Sequence, residues 1–192
     1  MKKVVIKLGT GILSAGNGKI HEARLAKLAN GIQAECKTQE TQVIVVSSGA
    51  VGLGMGILGI DSRPTDLALL RACAGIGQCL LMNAWTEALR KVGLVAAQVL
   101  LTRDDFNERV RSQKVQETLE ALLAQGVVPI VNENDSVSDE EIKFGDNDVL
   151  SALLCSLGKA DLLVILSTAK GLMTHPELSL IHISEPTRLS WI

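Results

Sequence analysis

Short runs of apolar, mostly β-branched residues recur along this chain, and a longer segment of helical spacing follows each of them. That alternation restricts the possible folds more than any other feature. The runs are VVIKL at 4–8, VIVVS at 43–47, LVAAQVLL at 94–101, VVPIV at 127–131 and DLLVILS at 161–167. Helical patterns are predicted at 20–38, 65–91, 104–125 and 147–158. Strands without polar alternation are buried on both faces, as a parallel sheet requires, and the repeated strand-then-helix order supplies the crossovers. The expected fold is α/β, a three-layer αβα sandwich with a mainly parallel sheet. Within the fourth run's preceding helix, Val115, Leu119, Leu122 and Leu123 share a face, leaving Arg111, Lys114 and Glu117 for water. Thr102 is placed to cap the turn preceding it, with Asp105 three residues on as a weaker capping-box partner.

Composition narrows the function classes. A net charge of −2 and the lack of any basic run give no footprint of a nucleic-acid or membrane-surface binder. Two Trp, two Phe and no Tyr leave little for base stacking. The start, MKKVVIKLGT, is too short and too interrupted by Lys7 for a secretory signal and reads as a first strand. No stretch approaches the roughly 18 uninterrupted apolar residues of a membrane span. A cytoplasmic protein is expected. Cys36, Cys73, Cys79 and Cys155 form no C-x-x-C pair and have no nearby His at metal-ligand spacing, so free thiols and no metal site are expected.

Three polar constellations each follow a predicted strand. KLGTG, Lys7 to Gly11, puts an ammonium beside a Gly-Thr-Gly turn, which suits a phosphate, although it is not a P-loop. SSGAVGLGMG, Ser47 to Gly56, reads as a glycine-rich turn opening a helix; its G-x-G-x-G spacing is wrong for the dinucleotide fingerprint. What remains there is a helix N-terminus with two hydroxyls, suited to a carboxylate, or else a serine that merely caps the helix. The densest cluster runs from Asn132 to Leu154, NENDSVS and EIKFGDNDVLSALL. One N-cap accounts for one of its Asp and Asn residues but not for Asn132, Glu133, Asn134 and Asp135 as well. Residues 136–145 read as a β-hairpin or a short helix. In open α/β sheets ligands bind beyond the carboxyl ends of the strands, where all three clusters fall.

VVIKLGT, VSSGAVGLG, LLTRDDF, VPIVNENDSV and KFGDNDVLSA, in this order, resemble the amino acid kinase family, most closely its glutamate-phosphorylating branch, over about residues 2–175. The resemblance implies transfer of a phosphoryl group from ATP to the side-chain carboxylate of L-glutamate, the first step of proline synthesis. Mg²⁺ would be held mainly by the nucleotide. It implies that Lys7 contacts the transferring phosphoryl group and that Asp148 organises the catalytic lysines. Ser48, Asp135 and Asn147 match glutamate-binding positions. Lys7, Gly9, Thr10, Gly11, Ser167 and Thr168 fall where the family binds ATP. A homo-oligomer, often inhibited by proline, is implied for the complete enzyme.

The sequence departs from the family pattern near the nucleotide, where LSTAKGLMT carries Thr168 in place of Asp. The resemblance also implies further kinase-domain sequence, with a glycine-rich loop and a second catalytic lysine, and in many bacterial members an added PUA domain. Residues 1–177 are therefore expected to be the N-terminal part of an incomplete amino acid kinase domain, inactive as a fragment. LSLIHISEPTR, Leu178 to Arg188, reads as the in-frame translation of a sequencing-library adapter. Residues 178–192 are accordingly expected to be a non-native tail, the alternative being a short divergent C-terminus. The rival functions are a non-catalytic amino-acid-binding module and another kinase of the family, such as one acting on acetylglutamate.

Overall fold

A computed structural model of the chain describes residues 1–16, 18–38, 40–137 and 147–167, with the backbone of two short strands beyond them. The elements are β1 Lys3–Leu8, α1 Thr10–Leu13, β2 Ser14–Gly16, β3 Lys19–Ile20, α2 Glu22–Thr38, β4 Gln42–Ser47, α3 Ala50–Leu58, α4 Leu67–Lys91, β5 Val95–Leu101, α5 Asp104–Asn107, α6 Arg109–Ala124, β6 Val127–Glu133, α7 Asn147–Gly158, β7 Leu162–Leu166, β8 Met173–His175 and β9 Leu178–Leu180. The last two strands form an antiparallel pair of their own, as do β2 and β3.

Five strands make one parallel sheet in the order β5-β6-β4-β1-β7. Alternation along each strand decides which layer a residue enters. Val43 and Val45 of β4, with Val128 and Ile130 of β6, face the layer of α2, α3 and α4, where they pack with Leu25, Leu81, Trp85 and Leu89. Ile44 and Val46, with Val5 and Val131, face α6 and α7 and pack with Leu119, Leu123, Leu150 and Leu154. The expected αβα sandwich is therefore the fold among the described residues. On α6, Val115, Leu119 and Leu123 are buried, Leu122 is half-buried, and Arg111, Lys114 and Glu117 face water, as their spacing requires.

Two local readings need correction. The helical pattern at 104–125 is broken: α5 ends at Asn107, and Glu108 is extended (φ −89°, ψ 119°) before α6 begins. Asp105 explains the break. Its carboxylate accepts from the Thr102 N–H (2.6 Å) and hydroxyl (2.8 Å) and from Arg111 Nε (2.9 Å), so it ties the end of β5 to the start of α6. Desolvation would raise this carboxyl; the Thr102 and Arg111 bonds outweigh it and hold it below the usual carboxylate range.

The second correction concerns the glycines after β4. They do not form a turn ahead of a helix; Ala50–Leu58 is already α3. Only Gly49 supplies the turn, with φ 115° in a region that side chains with a Cβ rarely enter. Gly54 lies against the Cys73 carbonyl of α4, and Gly77 of α4 lies against the Ala50 carbonyl of α3. A methyl group at either position would collide with that backbone, so the glycines are where two helices cross at close range. Helix α4 is 25 residues long and has the length and apolar composition of a membrane span. Its N-terminus is capped by Asp66, whose carboxylate accepts from the Ala68 N–H at 3.1 Å, and Cys73, Ala74, Gly77, Leu81, Trp85 and Leu89 are buried in the fold. The cysteines are free thiols, Cys73 buried and Cys79 exposed. The predicted hairpin at 136–145 falls largely on 138–146, outside the described residues.

Candidate active site

The carboxyl ends of β1, β4, β6 and β7 lie along one edge of the sheet because all four strands are parallel. Strand register then sorts the polar residues at that edge by layer. Lys7 lies two residues beyond Val5, so it faces the α7 side, where its ammonium meets the Asp148 carboxylate in the first turn of α7 at 2.5 Å. The lysine is 7% exposed, whereas the Asp148 side chain is 43% exposed. Placing a carboxylate in the first turn also favours the helix dipole.

Asn132 lies two residues beyond Ile130 and faces the opposite layer. Its Nδ2 donates to Gln78 Oε1 of α4 at 2.9 Å. Its Oδ1 accepts from Asn147 Nδ2 at 3.1 Å, and that same nitrogen donates to Ser48 Oγ at 2.6 Å. The Asn147 Oδ1 is buried and has no partner among the described residues. Neither serine at the start of α3 caps it. Ser47 Oγ accepts from the buried Trp85 indole N–H at 2.9 Å, Ser48 is held by Asn147, and the helix has no side-chain cap.

A cavity of about 230 Å³ opens beside this network, lined by Ser48, Gly49, Asn132, Asn147, Glu133, Asp135 and Arg63 among others. The first residues of α3, Ala50 to Gly52, also line it, so the helix N-terminus points its orphan N–H groups toward the space. Burial pushes the Glu133 carboxyl up to about 7, and the neighbouring Asp135 charge adds to this. Burial also raises Asp135, partly offset by Arg63.

Thr10 lines this cavity and a smaller one of about 80 Å³ bounded by α1, β3 and α3. On the other side of Lys7, Gly9 N–H donates to the Leu166 carbonyl of β7 at 3.0 Å. Through that bond the KLGTG turn sits beside Ser167, and a Cβ on Gly9 would lie 3.9 Å from both Lys7 Nζ and Ser167 Cα. Gly11 belongs to α1. Thr168 is outside the described residues.

Thus Ser48, Asp135 and Asn147 share one cavity, Lys7 and Asp148 form an ion pair at the same sheet edge, and Gly9 joins Lys7 to Ser167. Glu133, Arg63, Gln78 and Trp85 complete the surroundings and were not picked out as site residues from the sequence. Glu133 had a signal, since it stands within the Asn132–Asp135 cluster. Gln78 and Trp85 had none: each is a single residue in a long apolar helix.

A parallel α/β sandwich with a polar cleft at its strand ends, lined by hydrogen-bonding amides and carboxylates and with a buried lysine at the same sheet edge, is the architecture of a small-molecule-binding α/β protein. The chain matches the amino acid kinase family over residues 2–182 and belongs to it. Among curated relatives it is similar to the glutamate 5-kinase of Deinococcus radiodurans, with 46% identity over 95% of this chain and 52% of that protein. It is likewise similar to the glutamate 5-kinase of Symbiobacterium thermophilum, at 46% identity over 93% of this chain and 70% of the relative. That of Syntrophotalea carbinolica is 48% identical over 90% of this chain and 46% of the relative. The chain spans about half the length of most of these relatives.

Proposed function

We propose that this chain is the amino-acid-binding part of an enzyme that phosphorylates the side-chain carboxylate of L-glutamate with ATP, acting in the cytoplasm in proline synthesis. The observation that carries the reading is the Lys7–Asp148 ion pair at the same sheet edge as the Ser48–Asn147–Asp135 cavity. The reaction needs a cation between two anions and a pocket for an amino acid; a buried lysine and a polar cavity at one sheet edge support that reading.

In this reading the α-ammonium of glutamate lies against Asp135 and the vacant Asn147 Oδ1. Ser48, whose oxygen already accepts from Asn147, keeps its own O–H to donate to a carboxylate of the substrate. The side-chain carboxylate is ionised at neutral pH and requires no general base. Its oxygen attacks the γ-phosphorus of ATP. The bond from that phosphorus to the β,γ-bridging oxygen breaks, ADP leaves with the electron pair, and an acyl phosphate forms. Lys7 offsets the charge that gathers on the transferring group, and Asp148 holds the ammonium in place. Gly9, Thr10, Gly11 and Ser167 flank the nucleotide phosphates; Thr168 belongs to the same proposed contact. Mg²⁺ prefers oxygen ligands and keeps several waters, so in this reading it is held mainly by the nucleotide's phosphates. The complete enzyme is expected to be a homo-oligomer. Residues 1–177 are read as the first part of the kinase domain and 178–192 as a non-native tail.

The test is a panel of glutamate, aspartate, acetylglutamate and UMP offered to the full-length protein with ATP, reading ADP release and trapping the acyl phosphate with hydroxylamine. Turnover with glutamate alone is expected. Preference for another acceptor overturns the substrate, and glutamate binding without ADP release makes the chain a binding module.

A further inference from the structure

The cleft's hydrogen bonds do not stop at the residues that line it. Asn147 Nδ2 spends both its hydrogens, one on Ser48 Oγ and one on Asn132 Oδ1. That leaves its Oδ1 as the end with no partner, buried beside the cavity. Whether the vacant end is the oxygen or the nitrogen depends on which way Asn132 is turned. Its Nδ2 is directed away from the cleft by one acceptor, Gln78 Oε1, on the far side of the network. Gln78 is 8% exposed and does not line the cavity. Its own Nε2 is buried without a partner among the described residues. The relay Gln78–Asn132–Asn147–Ser48 therefore has two self-consistent polarities. With Gln78 accepting, the cleft is offered a carbonyl; with every amide reversed, it is offered an N–H.

We propose that Gln78 is a positioning residue for the amino-acid substrate: as the acceptor at the head of this amide relay, it turns Asn147 so that a carbonyl oxygen, suited to an ammonium group, faces the cleft. The assignment rests on reading the cleft as an amino-acid subsite. The placement of Gln78 on α4 favours this role. Trp85, two turns further along the same buried face, grips Ser47 beside Ser48. The two side chains fix the ends of β6 and β4 to a single helix, so the relay is held from behind. A glutamine with no task besides filling core space would be a costly choice there, because it leaves an amide N–H buried and unpaired.

The experiment compares Gln78→Met and Gln78→Glu in the full-length protein by steady-state kinetics, with thermal unfolding as a check on folding. Gln78→Met keeps the length and removes the acceptor. It should raise the KM for glutamate about 10-fold or more while leaving kcat and the KM for ATP within about threefold of wild type, the pattern of lost ground-state binding. Gln78→Glu, assayed at about pH 9 so that a buried carboxyl is ionised, still presents an oxygen to Asn132 Nδ2 and has no proton with which to reverse the relay. It should stay within about threefold of wild type in all three constants. A Gln78→Met enzyme with wild-type KM overturns the proposal, and so does a folded Gln78→Glu enzyme whose KM for glutamate rises about 10-fold. The second result is decisive even if Gln78→Met does not fold. A wild-type protein that turns over no glutamate overturns the substrate reading, and the role of Gln78 falls with it; an active wild type beside an unaffected Gln78→Met variant overturns the role of Gln78 alone.

Discussion

Lys7 is nearly buried, yet its partner Asp148 is close to half-exposed, and the mismatch separates what the pair does for folding from what it does for chemistry. An ion pair that shares its charge with solvent contributes little stability, about 1 kcal/mol or less. Replacing Lys7 by Met fills the same apolar slot without the charge. We expect Lys7→Met to unfold within a few degrees of wild type while kcat falls by about 10²-fold or more, since the variant lacks the cation proposed to face the transferring phosphoryl group. Calorimetry beside a coupled ADP assay measures both; an unchanged kcat would remove Lys7 from the chemistry. Glu133 gives a pH signature of the opposite kind. Its folded value of about 7 lies above its ordinary value of 4.5, so the folded protein holds the extra proton between those limits. Ligand-free stability should therefore fall as pH rises from about 4.5 through 7. An ammonium ligand favours the ionised carboxylate, so glutamate should bind more tightly, and release protons, as pH rises through the same value of about 7. Glu133→Gln should flatten both profiles, read by unfolding temperature and by titration calorimetry in buffers of different ionisation heat.

The α3–α4 crossing is the element on which the site is mounted. Gly54 and Gly77 let the helices approach until backbone meets backbone, and the residue after Gly77 is the glutamine that anchors Asn132. Gly77→Ala or Gly54→Ala forces α4 away from the sheet edge. Overpacking of this kind costs roughly 1–3 kcal/mol, which for a chain of this size lowers the unfolding temperature by about 3–10 °C. Because Gln78 moves with α4, Gly77→Ala should also raise the KM for glutamate, whereas a stability loss alone would leave KM where it was. The sequence showed the glycines but not their use: a G-x-G-x-G run after a strand reads as a turn until the facing helix is known, and Gly77 lies 23 positions beyond Gly54.

At the scale of the whole molecule, the sheet is covered unevenly among the described residues. Strand β7 pairs with β1 on one side, and Leu162 and Ile165 on it are 42% and 48% exposed. Beside it an apolar hollow of about 340 Å³ lies between α2 and the β1–β7 pair, lined by Ile6, Leu8, Leu28, Ile32, Val164 and Leu166. Open strand edges and apolar hollows attract other chains. The 192-residue chain on its own is expected to bind a hydrophobic dye and to unfold at a lower temperature than a protein of its relatives' full length. A dye-silent chain with a sharp, high-temperature transition would contradict this.

Sequence alone determined the layered α/β architecture, because strands without polar alternation demand cover on both faces and the helices between them supply it. It also marked the sheet edge where the polar clusters gather, since each directly follows a strand, and parallel strands end on the same side. The tertiary structure decided the directions. Strand alternation sends Lys7 toward α7 and Asn132 toward α4, a two-residue periodicity that acquires meaning only when the helices on each face are known. The bond from Gln78 to Asn132 spans 54 positions and that from Asn147 to Ser48 spans 99. A hydrogen bond acts over about 3 Å of space whatever the distance along the chain, so partners of this kind become visible only after the fold has brought them together.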